Sequence, residues 1–319
     1  MTGRTSKRRP GDAIGDAVDP SRARWELPPP MNSGIRTYHE VDELPSDLPD
    51  QMAAQGERVS ARLASVARVV AVMSGKGGVG KSLVSALLAT AMARRGRRVG
   101  LIDADLNGPS VPRLLGIEPG TLAEGPDGLE PPTSPAGVRV MSMGLLLEPE
   151  RALAWREPAD AGFVWRGAQE RGALREFIAD VAWGELDVLL VDLPPGTQRL
   201  AELHVLVPQM AGVLTVTIPS AASRDSVTRS LDMARTRGLR LLGVIENMSG
   251  VLCGACGSLV PLHAGEAGED LAEDFDVPLL ARLPFDPELG TAADGGRLDP
   301  WVDGTGPAAQ ALGRLAEQL

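Results

Sequence analysis

The sequence predicts an α/β fold, a mostly parallel, twisted sheet with helices on both faces. Two observations carry this. From Val69 onward, short apolar runs rich in Val, Ile and Leu alternate with longer stretches of helical periodicity. The runs are continuous and do not alternate apolar with polar, as suits strands covered on both faces. Strand–helix alternation then implies right-handed crossovers and a parallel sheet, whose ligands lie at the carboxyl ends of the strands.

Taken in chain order, residues 1–57 are rich in Pro, Gly, Asp, Arg and Ser and hold no sustained period of 2 or 3.6. Pro28, Pro29 and Pro30 interrupt any helix. A disordered or weakly structured arm is expected here, with a short helix from about Asp50 to Ala64 leading into a single domain over 58–319. The expected strands are Val69 to Met73, Val99 to Ile102, a weaker Val138 to Met141, Val188 to Val191, Val213 to Val216, Leu241 to Ile245 and Pro278 to Leu280. Between them Lys81 to Arg95, closed by Gly96, and Ala168 to Val181 read as amphipathic helices.

Composition narrows the function classes. In 319 residues, 43% are hydrophobic but only 3% aromatic, so the core must be built from aliphatic side chains. A net charge of −10 argues against broad binding to nucleic acid or anionic membranes. The basic cluster Arg4, Lys7, Arg8 and Arg9 reads as a solvated tail. No apolar run approaches the ~20 residues that span a bilayer, and the N-terminus lacks the apolar core of a signal peptide. A cytoplasmic location is expected, and two cysteines without a disulfide framework fit a reducing compartment.

The chemistry is concentrated in a few segments. Gly75-Lys76-Gly77-Gly78-Val79-Gly80-Lys81-Ser82 fits G-x-x-x-x-G-K-[ST] between an expected strand and an expected helix, the context that confirms a phosphate-binding loop. The glycines let backbone N–H groups approach phosphate oxygens, and the helix N-terminus favours anions. Lys81 is expected to neutralise the β and γ phosphates of ATP, and the Ser82 hydroxyl to ligate Mg²⁺. These residues make the α/β fold that of a P-loop NTPase. Asp192 ends a strand where a carboxylate orients Mg²⁺ through water. Asp103 and Asp105 end another, near the place of an attacking water; for each the alternative is a cap or turn former. Pro194-Pro195-Gly196-Thr197 makes a stiff turn with one free joint, suited to sensing a γ-phosphate.

Lys76, an additional lysine early in the loop, makes the pattern resemble the deviant-Walker SIMIBI-class ATPases. Four segments resemble more narrowly the Mrp-type family of iron–sulfur cluster carrier ATPases: Met73 to Ser82, Asp103 to Ser110, Trp183 to Asp187 continuing to Asp192 to Thr197, and Glu246 to Ser249 followed by Cys253 and Cys256. Trp165-Arg166-Gly167 also resembles a family segment, and the likeness runs from about residue 58 to 290. The resemblance implies that Lys76 reaches the nucleotide of a second subunit, that Asp105 orients the attacking water, and that Asn247 contacts adenine. It also implies that Cys253 and Cys256 bind a cluster bridging a homodimer, with apoproteins and scaffold proteins as partners. The sequence departs from the family at Gln198-Arg199, where Gly-Asp is usual, and at Gly254, where Pro is common.

Apart from the family, thiolates at i and i+3 can grip one metal or one cluster edge. A four-thiolate site needs two more ligands, and with no other cysteine those must come from a second chain. An iron–sulfur cluster ([4Fe–4S] foremost), a zinc shared by a dimer, a redox dithiol and inert cysteines all remain open at this point. The expected function is an ATP-hydrolysing cluster carrier. The alternative is a positioning ATPase related to the partition and site-selection proteins, although the chain end from Ala308 to Leu319 is short and weakly charged for a membrane-binding helix.

Overall fold

The structure, a computed structural model, describes residues 48–146, 163–253, 255–256 and 258–319. In chain order the elements are α1 (Leu48–Leu63), β1 (Val69–Ser74), α2 (Lys81–Arg94), β2 (Val99–Asp103), α3 (Val111–Leu114), β3 (Ala123–Gly125), β4 (Gly128–Glu130) and β5 (Val138–Ser142). There follow α4 (Phe163–Ala179), β6 (Val188–Asp192), α5 (Gln198–Leu206), β7 (Gly212–Thr217), α6 (Ala221–Thr236), β8 (Leu241–Leu252), β9 (Leu259–Val260) and α7 (Ala267–Phe275). The chain closes with β10 (Leu279–Phe285), α8 (Pro287–Asp294), α9 (Asp299–Val302) and α10 (Pro307–Gln318). Helix α1 runs through the position where the arm was expected to give way to the domain. The rest of that arm lies outside the described residues.

The main sheet runs β10-β8-β7-β1-β6-β2-β5, parallel throughout, with β9 antiparallel on the end of β8. Its strands are the continuous apolar runs, and β1 shows why they are continuous. Val70 and Val72 enter one core with α2 and α10, while Val69, Ala71 and Met73 enter the other with α1, α4, α5 and α6. Successive side chains point to opposite faces, so a strand covered on both sides needs apolar residues at every position. Each of the expected strands is present. Strand β8 runs past Ile245 for seven further residues to Leu252, supported by β10 on one side and β9 near its end. Within it Met248 adopts φ 55, a left-handed backbone uncommon for a side chain of that kind.

From β1 the chain crosses to β2 and β5, returns to β6 between β1 and β2, and then builds β7, β8 and β10 on the far side of β1. In such sheets ligands lie at this reversal, beyond the carboxyl ends of the strands, here β1, β6 and β7. The chain's last helix closes the opposite layer, with Ala308, Ala311, Leu312, Leu315 and Ala316 buried against α2 and β10.

Candidate nucleotide site and cysteine hairpin

Strand β1 delivers the chain into the loop Gly75–Gly80, and each constrained glycine has a local cause. At Gly75 the backbone of α6 lies so close that an added Cβ would come 2.5 Å from the carbonyl carbon of Ser226 and the nitrogen of Val227. At Gly80, φ is 78°, and an added Cβ would meet Nδ2 of Asn247 at 2.4 Å. That amide donates to the carbonyl of Val79 at 2.9 Å. Asn247, expected from the resemblance to contact adenine, is thus packed under the loop and only 8% exposed. Its placement fixes the last turn of the loop before α2 begins at Lys81.

Register places Val72, Asp192 and Asp103 side by side on β1, β6 and β2. Asp192 is fully buried, and three groups of α2 converge on it. The Lys81 ammonium lies 2.7 Å from Oδ2, the Ser82 hydroxyl donates to Oδ2 at 2.6 Å, and the Ser85 hydroxyl donates to Oδ1 at 2.6 Å. A buried carboxylate must be paired and hydrogen-bonded, and this one is both. Ser82 and Ser85 share a helix face through their i, i+3 spacing. Ser85 was not singled out in the sequence, although that spacing is visible there.

Asp103 is also fully buried and works as a loop organiser. Its Oδ2 accepts from the backbone N–H of Ser110 (2.9 Å) and Val111 (3.1 Å) and from the Ser142 hydroxyl (3.2 Å), and its Oδ1 from Asp105 N–H (3.2 Å). Of the two roles open for it, the turn former is the one its contacts fill. Burial, and then the neighbouring Asp192, push its carboxyl up to about 7 against the opposing pull of Val111, Ser110 and Lys81. Asp105 is half-buried, and its Oδ1 accepts from Gly108 N–H at 3.2 Å, closing the turn after β2.

The loop after β6 is tied to the phosphate loop. Gly196, with φ 99, donates to the carbonyl of Ser74 at 3.1 Å, and Pro195 faces Gly77. Lys76 is half-buried; among the described residues its ammonium has no ion-pair partner.

The cysteines sit apart from this knot, in the hairpin between β8 and β9. Cys253 N–H donates to Ser258 C=O at 2.8 Å, which closes the hairpin. Cys253 is half-buried and Cys256 exposed, and neither is in a disulfide. The Cys256 sulfur lies 3.4 Å from the Ser258 hydroxyl. That hydroxyl first, then Ser258's backbone and Cys253, hold the Cys256 thiol below its ordinary range. Among the described residues no third His, Cys, Asp or Glu joins the pair to complete a metal site. Around it Leu259, Val260 and Leu262 are each about half exposed.

A parallel sheet reversing at β1, a phosphate loop at that reversal and a carboxylate knotted to its Lys and Ser define a P-loop NTPase. The family model described as a ParA-group NUBPL iron-transfer P-loop NTPase matches residues 65–319, and the chain belongs to that family. An iron–sulfur cluster carrier protein of Saccharolobus solfataricus is 40% identical over 247 residues, covering 77% of this chain and 80% of its own. The cytosolic Fe-S cluster assembly factor NUBP2 of Bos taurus is 40% identical over 264 residues, 81% of this chain and 93% of its own. Among solved structures, the nucleotide-binding protein of Archaeoglobus fulgidus in complex with ADP superposes with a TM-score of 0.65 at 34% identity. That likeness covers 80% of this chain and 95% of the other.

Proposed function

We propose that this chain is an ATP-hydrolysing iron–sulfur cluster carrier that works as a homodimer and passes its cargo to apoproteins and scaffold proteins. The observation that carries the reading is the pairing of two sites along one strand. Strand β8 packs Asn247 under the phosphate loop and ends at the hairpin that carries half-buried Cys253 and exposed Cys256. Relatives named for cluster carriage and assembly support it.

In this reading Gly75, Gly77, Gly78, Val79 and Gly80 present backbone N–H groups to the phosphates, and Lys81 supplies the positive charge opposite the β and γ oxygens. The Ser82 hydroxyl and the Asp192 carboxylate, 2.6 Å apart and both oxygen donors, suit Mg²⁺, a hard cation that takes oxygen ligands. Mg²⁺ there would neutralise charge developing on the phosphate oxygens. Asp105 orients the attacking water, and Lys76 reaches the nucleotide of the second subunit. Asn247 holds the loop beside the base. Two thiolates per chain, from Cys253 and Cys256, supply half of the four ligands a bridging [4Fe–4S] cargo needs. The working unit is residues 58–319, with 1–57 an appended arm, and its place is the cytoplasm. Among the described residues no helix is long and apolar enough to cross a membrane.

The membrane-binding form of the positioning-ATPase alternative is weakened by α10. Its apolar side chains are buried in the core and are not free to enter a bilayer. The deciding experiment measures iron, acid-labile sulfide and zinc per chain in protein reconstituted without oxygen, with sedimentation of the same sample. About two iron and two sulfide per chain in a dimer is expected. About half a zinc per chain and no sulfide would mean a structural metal bridge instead, and a dimer holding neither would leave only the ATPase.

A further inference from the structure

Arg199 opens helix α5, directly after the loop that follows Asp192, yet it is only 7% exposed. A guanidinium is buried only when its charge is answered, and here two carboxylates answer it. Arg199 pairs with Glu170 of α4 and with Glu202 one turn along α5. The second carboxylate is balanced from outside by Arg171, 3.6 Å away, and receives a hydrogen bond from Gln198 at 3.3 Å. Glu170 has its other oxygen committed elsewhere. Its Oε1 accepts from Nδ2 of Asn107 at 3.0 Å, and Asn107 lies in the turn closed by Gly108 N–H on Asp105. One carboxylate therefore joins the loop after β2 to the start of the helix after β6.

We propose that Arg199 is a positioning residue for Asp105, acting through Glu170 and Asn107. The inference rests on the ATPase reading above. A carboxylate held by one oxygen can swing about its stem, whereas one held at both oxygens has a fixed plane. Arg199 at Oε2 and Asn107 at Oε1 together set that plane for Glu170, so the guanidinium fixes where Asn107, and with it the Asp105 turn, can sit. Side-chain exposures of 8% for Arg199 and 13% for Glu170 and Glu202 keep these charges poorly screened, so the linkage survives physiological salt. A lysine, a single point charge, lacks the two separate N–H arms that reach Glu170 and Glu202 here. Movement of the turn after β6 is thereby transmitted through Glu170 to the turn after β2.

The test is a double-mutant cycle on ATP hydrolysis with Asn107→Ala and Arg199→Met. Each single substitution is expected to lower kcat about tenfold with KM within about twofold, and the pair together also about tenfold, because both break one chain of contacts. Arg199→Lys should recover only part of the loss. Effects that multiply to about a hundredfold, or an unchanged kcat in folded Arg199→Met, would overturn the proposal. Should Arg199→Met fail to fold, Arg199→Lys takes its place in the cycle. Hydrogen exchange separates this failure from failure of the ATPase reading. If the wild type hydrolyses no ATP, that reading falls. Faster exchange at the Gly108 and Ser110 amides in the Arg199 variant would still support the linkage, and unchanged exchange would end it.

Discussion

The two ends of β8 are built on opposite terms. At the phosphate loop, Lys81 is 7% exposed and Asp192 not at all, two serine hydroxyls complete the carboxylate, and backbone from α6 and the amide of Asn247 press on the glycines. At the cysteine hairpin, two residues of β9 hold the turn, Cys256 is exposed, and Leu259, Val260 and Leu262 face outward. The first region is fixed by burial and by paired charges, as preorganised electrostatic sites are. In the second, the described hydrogen bonds of Cys253 and Cys256 both run to Ser258 within the same hairpin. The nucleotide end is held by many buried contacts, whereas the described residues at the sulfur end bring together two thiols and no third metal-ligating side chain.

That contrast can be broken at either end. Lys81→Ala should lower ATP hydrolysis by at least about a hundredfold, since it removes the charge opposed to the phosphates. Phosphate release measures this, and visible absorption of the reconstituted protein should remain. Loss of both signals would mean the ends are not separable. Cys253→Ser and Cys256→Ser should do the reverse. Each abolishes the visible absorption, leaves ATP affinity within about twofold, and shifts Tm by less than about 2 °C, as surface substitutions do.

Backbone strain sharpens the comparison further. Gly80→Ala forces a side chain into φ 78° and against Asn247, so it should destabilise by about 1–3 kcal/mol and lower Tm by several degrees. Leu259→Ser, on the exposed hairpin, should leave Tm within about 1 °C. Equal losses from the two would show that the hairpin is packed as tightly as the loop. The smallest effect is a pH dependence. Asp103 is raised from 3.8 to about 7 in the fold, so the folded state binds its proton more tightly than the unfolded chain does. The stability this gives is fully present below about pH 4 and is lost as pH rises through about 7. Denaturant titrations of Asp103→Asn across that window should show a flatter profile than wild type.

Local features were legible in the sequence, and contacts between distant residues were not. The strands could be read because a sheet covered on both faces favours long apolar runs, with exceptions such as Arg139 in β5 and Thr215 in β7, and the phosphate loop because its function resides in consecutive backbone atoms. The extension of β8 through Glu246-Asn247-Met248-Ser249 was hidden, because pairing with its neighbours sustains it and apolar character does not. The three-residue strands β3 and β4 carry too few side chains to show a period. Ser226 reaching the carbonyl of Gly75, and Glu170 joining two loops, depend on the fold having already formed. Asn247 was visible as a residue, but its support of the loop was not.

The length of β8 beyond Asn247 sets what kind of signal can pass along it. At roughly 3.3 Å per residue, the run from Asn247 to Leu252 carries the hairpin on the order of 15 Å past the phosphate loop. The Debye length in physiological salt is about 8 Å, so the appearance or loss of a phosphate charge at one end is largely screened at the other. A shift or rotation carried by one continuous strand acts over that distance where a screened charge does not, and Met248, at φ 55, is the left-handed residue between its two halves.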